Sequence, residues 1–426
     1  MELTRRTALK QAAAFGMAAA LTPLSASLKA ANAAGRKLRV AVVGLGRGMG
    51  HVAALLALPD VEIAYLAELD SSRLERGMKA VSDKQQAPCQ GVVDFRKALE
   101  DKTLDAVFIA TPNFWHTPAA LLAMQAGKHV YVEKPGSQNP HEAELIVAGA
   151  KKYGKLVQMG NQRRSSMRDA IAALHAGAVG ELHFARAFYY ASRKALGQGG
   201  ATQSPAPNLD YNLWQGPVAD ERDIRSFVHY EWHWLWHWGN GELGNNGIHT
   251  LDILRWGLQV EHPHSVSYTG GRYWHADKQE TPDTGTACYN FGKVGMEWVQ
   301  SSCSPRAAEK PLAECVFYGE GGSFAIHGPG WTVYDPKGIK VSEGKGQGAL
   351  DALHIGNFVE AIRGNVALNS PIHEGQLSTM LCHLGNIAYR TGTVVKCDPK
   401  TGKLLNNPEG EKLWKRAYRK GWEPSV

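Results

Sequence analysis

Four glycines at alternate positions, Gly44, Gly46, Gly48 and Gly50, follow directly on an apolar run at 38–43. A strand that enters such a loop and leaves as a helix can hold a dinucleotide pyrophosphate. Gly44 permits the tight turn, Gly46 lets the backbone approach the phosphates, and the helix aims its N-terminal amides at the negative charge. The usual third glycine would fall at residue 49, which is Met49; Gly48 and Gly50 flank it, and Arg47 sits inside the loop. The next apolar run ends in Ala67-Glu68-Leu69-Asp70. A carboxylate about 20 residues past the loop accepts the ribose hydroxyls of the adenosine half and repels a 2′-phosphate. Glu68 is the expected ribose partner, with Asp70 as the alternative or as a helix cap. NAD is the expected cofactor, and nearby Arg73 leaves NADP open.

A second concentration of chemistry lies at 229–238, where four tryptophans and three histidines occur within ten residues. Their period of two suits a strand with aromatics on one face and histidines on the other. Such a segment packs a core or subunit interface, or it forms a carbohydrate platform. Sugar rings stack their C–H faces on indoles, and their hydroxyls take polar partners such as His233, His237 or Glu242. Trp232, His233, Trp236 and His237 are therefore candidate substrate residues. Arg163 joins them, because Asn161-Gln162-Arg163-Arg164 follows the last strand of the first domain; it reaches either substrate or a partner subunit. No H-E-x-x-H motif occurs, and no metal site is expected.

These residues need elements to position them. Apolar runs at 38–43, 61–69, 106–110, 129–132 and 156–159 read as buried parallel strands, with helices between them at about 47–58, 71–83, 117–127 and 140–153. Asn139 and Pro140 suit the start of the last helix. That alternation predicts an α/β domain whose parallel sheet is covered on both faces. Beyond residue 161 the runs lengthen and alternate, at 181–190, 266–274, 286–291, 296–301 and 315–318, which predicts a large, open, mostly antiparallel sheet. Gly292-Lys293-Val294-Gly295 reads as a hairpin turn. Residues 191–230 are rich in Gly, Pro and Asn and read as a long functional excursion. Helices at about 351–363 and 374–390 close the chain. A length of 426 residues suits two domains: 34–160 and 161–350, with 351–426 as C-terminal helices and tail.

Two further segments, Ala110-Thr111-Pro112-Asn113 followed by His116, and Glu133-Lys134-Pro135, resemble the glucose-fructose oxidoreductase / inositol dehydrogenase / MocA (Gfo/Idh/MocA) family. The resemblance runs on through Gly247-Ile248-His249. It implies a Rossmann domain, a sheet domain carrying the substrate face, C-terminal helices that pack near the first domain, and hydride transfer with bound NAD(P). It also implies that Thr111, Asn113, His116, Glu133 and Lys134 lie against the cofactor, beside Gly44, Gly46, Arg47, Gly48, Met49 and Glu68. In such enzymes the E-K-P lysine sits near the nicotinamide and the reacting hydroxyl. An ammonium there stabilises a developing alkoxide, and burial can lower its pKa. The Lys134-Pro135 bond is a candidate for cis. The family's second element is an Asp four residues before a His; here Asn245 precedes His249. Asparagine orients a hydroxyl but cannot take its proton. His249 is then the expected general acid/base, its ordinary pKa lying near neutrality. Asp252, three residues on, suits either packing or orientation of that histidine.

The N-terminal 33 residues carry Thr4-Arg5-Arg6-Thr7-Ala8-Leu9-Lys10, an alanine-rich apolar stretch and Ala31-Asn32-Ala33. This reads as a twin-arginine signal: export of the folded protein by that machinery to the periplasm, with its cofactor already bound. Of the formal charge of +7, Arg5, Arg6, Lys10 and Lys29 against Glu2 supply +3. The small remaining excess argues against nucleic acid, and no membrane anchor is expected. Six scattered cysteines read as mostly buried free thiols. A homo-oligomer, dimer or tetramer, is expected from the open sheet. The function expected is an NAD(P)-dependent oxidoreductase acting on a sugar, polyol or glycoside. Two alternatives stand beside it. One is redox-neutral glycoside cleavage, by oxidation, elimination, hydration and reduction. The other is a non-catalytic sugar-binding protein that keeps NAD.

Overall fold

A computed structural model describes residues 36–197, 208–306, 308 and 313–426. The export signal expected over 1–33 lies outside them. The first domain is built on six parallel strands: β1 (Leu38–Val43), β2 (Val61–Ala67), β3 (Gln90–Val92), β4 (Ala106–Ile109), β5 (His129–Val132) and β6 (Val157–Met159), in the spatial order β3-β2-β1-β4-β5-β6. The order reverses direction between β1 and β4, so the cleft for a ligand opens at their carboxyl ends. β4 is buried along its whole length and β1 nearly so, which explains why they read as unbroken apolar runs. β3 was not expected. It is a three-residue edge strand with a central glycine, too short to show a period.

Helices α1 (Gly48–Leu56), α2 (Ser71–Ser82), α3 (Asn113–Gln125) and α4 (Pro140–Tyr153) connect these strands. Asp70 caps α2 by accepting from the amides of Ser72 and Arg73. Asn139 caps α4 by accepting from the Glu142 amide, and Gly154 ends it in the left-handed conformation.

The second domain holds nine strands: β7 (Leu182–Tyr190), β8 (Ser265–Gly271), β9 (Thr284–Asn290), β10 (Gly295–Ser301), β11 (Cys315–Gly319), β12 (Gly322–His327), β13 (Gly330–Tyr334), β14 (Lys340–Lys345) and β15 (Val395–Lys396). Their order is β14-β13-β12-β11-β7-β10-β9-β8-β15. Only the β7/β10 pair is parallel; the others are antiparallel. β9 and β10 form the expected hairpin, closed by the Phe291 amide on the Val294 carbonyl at 3.0 Å. Helices α5 (Ile248–Leu258) and α7 (Ile372–Thr391) cover the inner face. Their glycines allow close contact: a Cβ on Gly257 would stand 2.4 Å from the Phe317 ring, and one on Gly247 3.1 Å from Trp298. The outer face carries Phe184, Phe188, Tyr190 and Tyr318, all partly buried.

Helix α6 (Leu350–Ile362) leaves the second sheet and packs on the first domain. Its Ile355, Phe358, Val359 and Ile362 join Val42, Val52 and Tyr131 in one buried cluster. The tail beyond α7 returns to the same domain, where Arg416 donates to Glu142 and Trp422 packs edge-on against Trp115.

The aromatic segment is not a strand. Glu231–Trp234 is a 3₁₀ turn, and the amides of Leu235 and Trp238 also bond three residues back. The chain then folds onto itself so tightly that a Cβ on Gly239 would stand 2.2 Å from the His233 carbonyl oxygen. No neighbouring strand offers this stretch a ladder; its backbone is satisfied by its own turns and by Gln138, Glu280 and Thr281, and the alternation of Trp and His does not sort onto two faces. All six cysteines are free; four are buried, Cys89 is half-buried and Cys288 is exposed. No helix among the described residues is long and apolar enough to cross a membrane.

Candidate active site

A cleft of about 1160 Å³ opens at the carboxyl ends of β1 and β4 and runs between the domains. Its wall includes Gly44, Gly46 and Arg47 from the loop before α1, Glu68 after β2, Thr111, Asn113 and His116 around the start of α3, and Glu133 and Lys134 after β5. The second domain contributes Tyr230, Trp232, His233, Asn245 and His249. Most of the expected cofactor and catalytic residues therefore meet in one place.

The loop has the geometry its glycines allow. Gly44 has φ +85°, and a Cβ there would stand 2.7 Å from the Ala110 carbonyl oxygen. A Cβ on Gly48 would stand 3.1 Å from Val42, so Gly48 gives α1 the close approach to the sheet that a third glycine usually provides. Met49 does not line the cleft; it packs against the core beneath α1. Glu68 folds back over the turn: one carboxylate oxygen accepts from the Leu45 amide at 2.7 Å, the other from the amides of Leu69 at 2.8 Å and Asp70 at 3.2 Å. Asp70 is engaged as the α2 cap and lies 3.2 Å from His229, so of these two acids Glu68 is the one on the cleft wall. Leu209, Leu213, Trp214 and Val228 from the 191–230 excursion close this side. The Thr111 hydroxyl is buried and lacks a hydrogen-bond partner in the protein. An orphaned polar atom in this wall, a glycine cradle and a helix N-terminus together fit a dinucleotide.

Three expected residues hold the site together. His116 sets its Nε2 2.8 Å from the Thr111 carbonyl and its Nδ1 against the Pro135 carbonyl, and burial lowers its pKa. Asn113 donates to Asn240 at 3.0 Å, which links the two domains. Arg47 reaches out of the loop to Asp351 at the start of α6 and stands 3.2 Å from Glu133.

Glu133 is buried and heavily paired. His51 Nε2 lies 2.9 Å away and Gln162 donates at 3.0 Å. Burial works to raise its pKa, but His51, Arg47 and Lys134 outweigh that and hold the carboxyl well below its usual range. Lys134 follows, with a cis bond to Pro135. Its ammonium donates to the Asn245 carbonyl at 2.7 Å and to the Asn245 side-chain oxygen at 3.3 Å. Burial lowers its pKa, with Glu133 opposing. The Asn245 amide in turn donates to the Tyr230 hydroxyl at 3.2 Å.

His249 faces the cleft, and no described residue holds its ring by a hydrogen bond. Burial, then the charges of Lys134 and Arg163, push its pKa well below the ordinary 6.5. Titration near neutrality, as the sequence suggested, gives way to an imidazole that stays neutral there. Asp252 does not orient it: Asp252 makes a buried bidentate pair with Arg164 and accepts from Ser378 at 2.6 Å.

The candidate substrate residues divide. Trp232 and His233 line the cleft, stacked at 3.6 Å with 21° between their planes. Burial pushes His233 down to about 3, so it is neutral. Trp236 and His237 lie instead on a second, smaller cavity. Arg163 pairs with Glu314 and is not on the cleft wall. Glu242 is buried behind the site, where Asn246 donates to it at 2.6 Å. His51, Gln162, Tyr230 and Asp351 were missed by sequence reasoning. Tyr230 stood in the quoted aromatic segment, but a phenol's partner 15 residues away leaves no local signal. Among the described residues no group of three or more His, Cys, Asp or Glu is placed to hold a metal ion.

Comparison with known proteins shows the family and its NAD-binding fold. Residues 38–161 match the oxidoreductase family with an NAD-binding Rossmann fold, Gfo/Idh/MocA, and residues 215–325 match the C-terminal domain of the same family. A glycosyl hydrolase family 109 protein of Saccharopolyspora erythraea is 31% identical over 209 residues, 44% of this chain and 45% of that protein. The chain thus spans about half the length of the curated relatives it matches. Among solved structures, the WlbA dehydrogenase of Bordetella pertussis, in complex with NADH and UDP-GlcNAcA, superposes with a TM-score of 0.65 at 18% identity, over 85% of this chain and 99% of that one. An aldose-aldose oxidoreductase of Caulobacter crescentus, complexed with glycerol, gives 0.61 at 19% identity, over 85% and 100%. At such identities the structures establish a common fold.

Proposed function

This chain belongs to the Gfo/Idh/MocA family of NAD-binding oxidoreductases, and from that premise we propose that it acts on a hydroxyl group of a sugar, polyol or glycoside. The observation that carries the reading is the meeting of Lys134, Asn245 and a neutral His249 on a cleft that continues over the Gly44–Gly46 loop. When bound, NAD supplies the hydride acceptor. The protein's part is proton handling and placement. His249, neutral and unengaged, takes the proton of the substrate hydroxyl. The Lys134 ammonium stabilises the alkoxide that develops. Asn245 keeps that ammonium in position and offers hydrogen bonds, without being a base. Trp232 and His233 supply a flat apolar surface for a sugar ring. The test is to add a panel of sugars, polyols and glycosides to the NAD-loaded protein and follow the near-ultraviolet absorbance of reduced nicotinamide. No reduction and no turnover across the panel would remove the proposal.

The family 109 glycosyl hydrolase match favours a second reading, redox-neutral glycoside cleavage, in which the cofactor ends as it began. Release of the aglycone from aryl glycosides with no added acceptor separates this from net dehydrogenation. The twin-arginine pattern motivates the further proposal that the protein is exported with its cofactor bound; recovery of NAD-free protein from the envelope would contradict it. The aromatic side chains on the outer face of the second sheet, around the Arg186–Glu297 pair, support a homo-oligomer, which a light-scattering mass would test.

A further inference from the structure

Asn113 lines the cleft, and its partner Asn240 lines a second cavity of about 360 Å³. The two spaces are therefore separated by that contact. The second cavity is unusual in its cations. Arg390, Arg416, Lys412 and Lys415 all line it, against one carboxylate, Asp220. The two lysines are engaged at the surface, with Glu409 and Glu423. Asp220 is engaged too, by Arg222 and by His237 at 3.3 Å.

The two arginines differ. Arg416 gives its Nε to Glu142 and its Nη2 to the Phe114 carbonyl, both at 2.8 Å; Nη2 also lies 2.7 Å from Glu142, so this buried carboxylate balances its charge, and Nη1 is buried without a hydrogen-bond partner. Arg390 lies over the Trp236 ring, 5.1 Å from its centroid, and no described carboxylate pairs with it. Glu280 is the acid whose charge it feels, yet Glu280 accepts from Arg222 at 2.6 Å and from the Trp236 amide at 2.7 Å. A guanidinium without a carboxylate partner presents a planar fork that matches one. The Asn386 side-chain oxygen, its amide nitrogen held by the Asn240 carbonyl at 2.9 Å, is placed to accept from a hydroxyl, and the half-buried indole of Trp236 offers an apolar edge. The volume suits one monosaccharide.

We propose that this cavity is a second ligand site, distinct from the cleft, that takes a carboxylate-bearing monosaccharide. Its acid group meets the guanidinium of Arg390, and its ring lies against Trp236. The site does not depend on the reaction proposed for the cleft.

The test is calorimetric titration of the full NAD-loaded protein with D-glucuronate, with D-glucose and inorganic phosphate as comparison probes. Arg390→Gln and Trp236→Ala are titrated alongside, and their NAD affinity reports that they fold. Saturable glucuronate binding, at least about tenfold weaker for glucose and lost about tenfold in each variant, is the expected result, a fold-change typical of one polar or stacking contact. Retention of that binding in Lys134→Ala is expected as well, since the cleft is not involved. Glucuronate binding unchanged in both cavity variants overturns the proposal. So does phosphate binding that equals or exceeds that of glucuronate, which marks an anion site without a sugar, and so does the absence of any binding.

Discussion

The ammonium of Lys134 is held 2.7 Å from the backbone carbonyl of Asn245, on the opposite domain. Asn245 lies in a π-helical turn, Leu243–Gly247, that leads into α5, and such turns expose carbonyls that a regular helix would keep to itself. One lysine from the end of β5 thereby joins the two halves of the site, and the Asn245 amide extends the contact to Tyr230. The replacement of the family's usual acid by asparagine leaves this contact intact, because the main-chain oxygen makes its shorter half.

Lys134→Ala should lower turnover by roughly 10²–10⁴-fold, the range for loss of a group that stabilises developing charge. NAD affinity should change little, since Glu68 and the glycine loop lie elsewhere in the cleft. Initial rates and NAD calorimetry on the same preparation check this; normal turnover would remove Lys134 from its role.

The pH profile should show a displaced acid limb. His249 has its pKa pushed down in the folded protein, so it remains a usable base below the ordinary 6.5 and is lost only as pH falls through its lowered value. The same sign holds for stability. Below 6.5 the unfolded chain takes up this proton before the native one does, so folding weakens as the solution is acidified. Rates measured from pH 8 downward, with His249→Asn as the comparison, test the assignment. A wild-type limb centred on 6.5 or above, or one that persists in the variant, contradicts it.

Glu68→Gln should weaken NAD by roughly ten- to a hundredfold, as one carboxylate hydrogen-bond set is worth roughly 1.5–3 kcal/mol. It should weaken NADP less, because the repelling charge is gone and the Arg73 guanidinium lies beside Gly46. Paired titrations with the two dinucleotides give the ratio. An unchanged ratio would show that Glu68 does not face the ribose.

Asp252→Ala should destabilise the fold by about 3–5 kcal/mol, the cost of leaving a buried guanidinium without its partner. Both members are nearly inaccessible, at 6% and 1% side-chain exposure, so solvent does not screen the loss. Equilibrium unfolding in urea measures it. A change under about 1 kcal/mol would mean that Glu374, 3.3 Å from Arg164, compensates.

What the chain announces locally survives folding. Buried strands read as apolar runs because both faces of the first sheet are covered. The glycine loop, Glu68 after β2, the Asn139 cap and the hairpin at 292–295 each depend on residues close in sequence. The resemblance of Glu133-Lys134-Pro135 and His249 to known motifs points to the two halves of the candidate site from sequence alone. Where the reading went astray, the reason is also physical. Period two at 232–238 promised a strand, but a strand exists only where another strand pairs along it, and here none does. Trp232 and Trp236 look alike in sequence, yet a tight turn sends one to the cleft and the other to a separate cavity. The pairing of Asp252 with Arg164, the lowered pKa of His249 and the link from Lys134 to Asn245 all join residues about 90 or more positions apart, or depend on burial. The amino-acid sequence by itself determined most of the buried strands and helices of the first domain and the cofactor loop, and it named candidate reacting side chains. Only the tertiary structure decided which of them meet and in what state of charge, since proximity and desolvation belong to the packed chain.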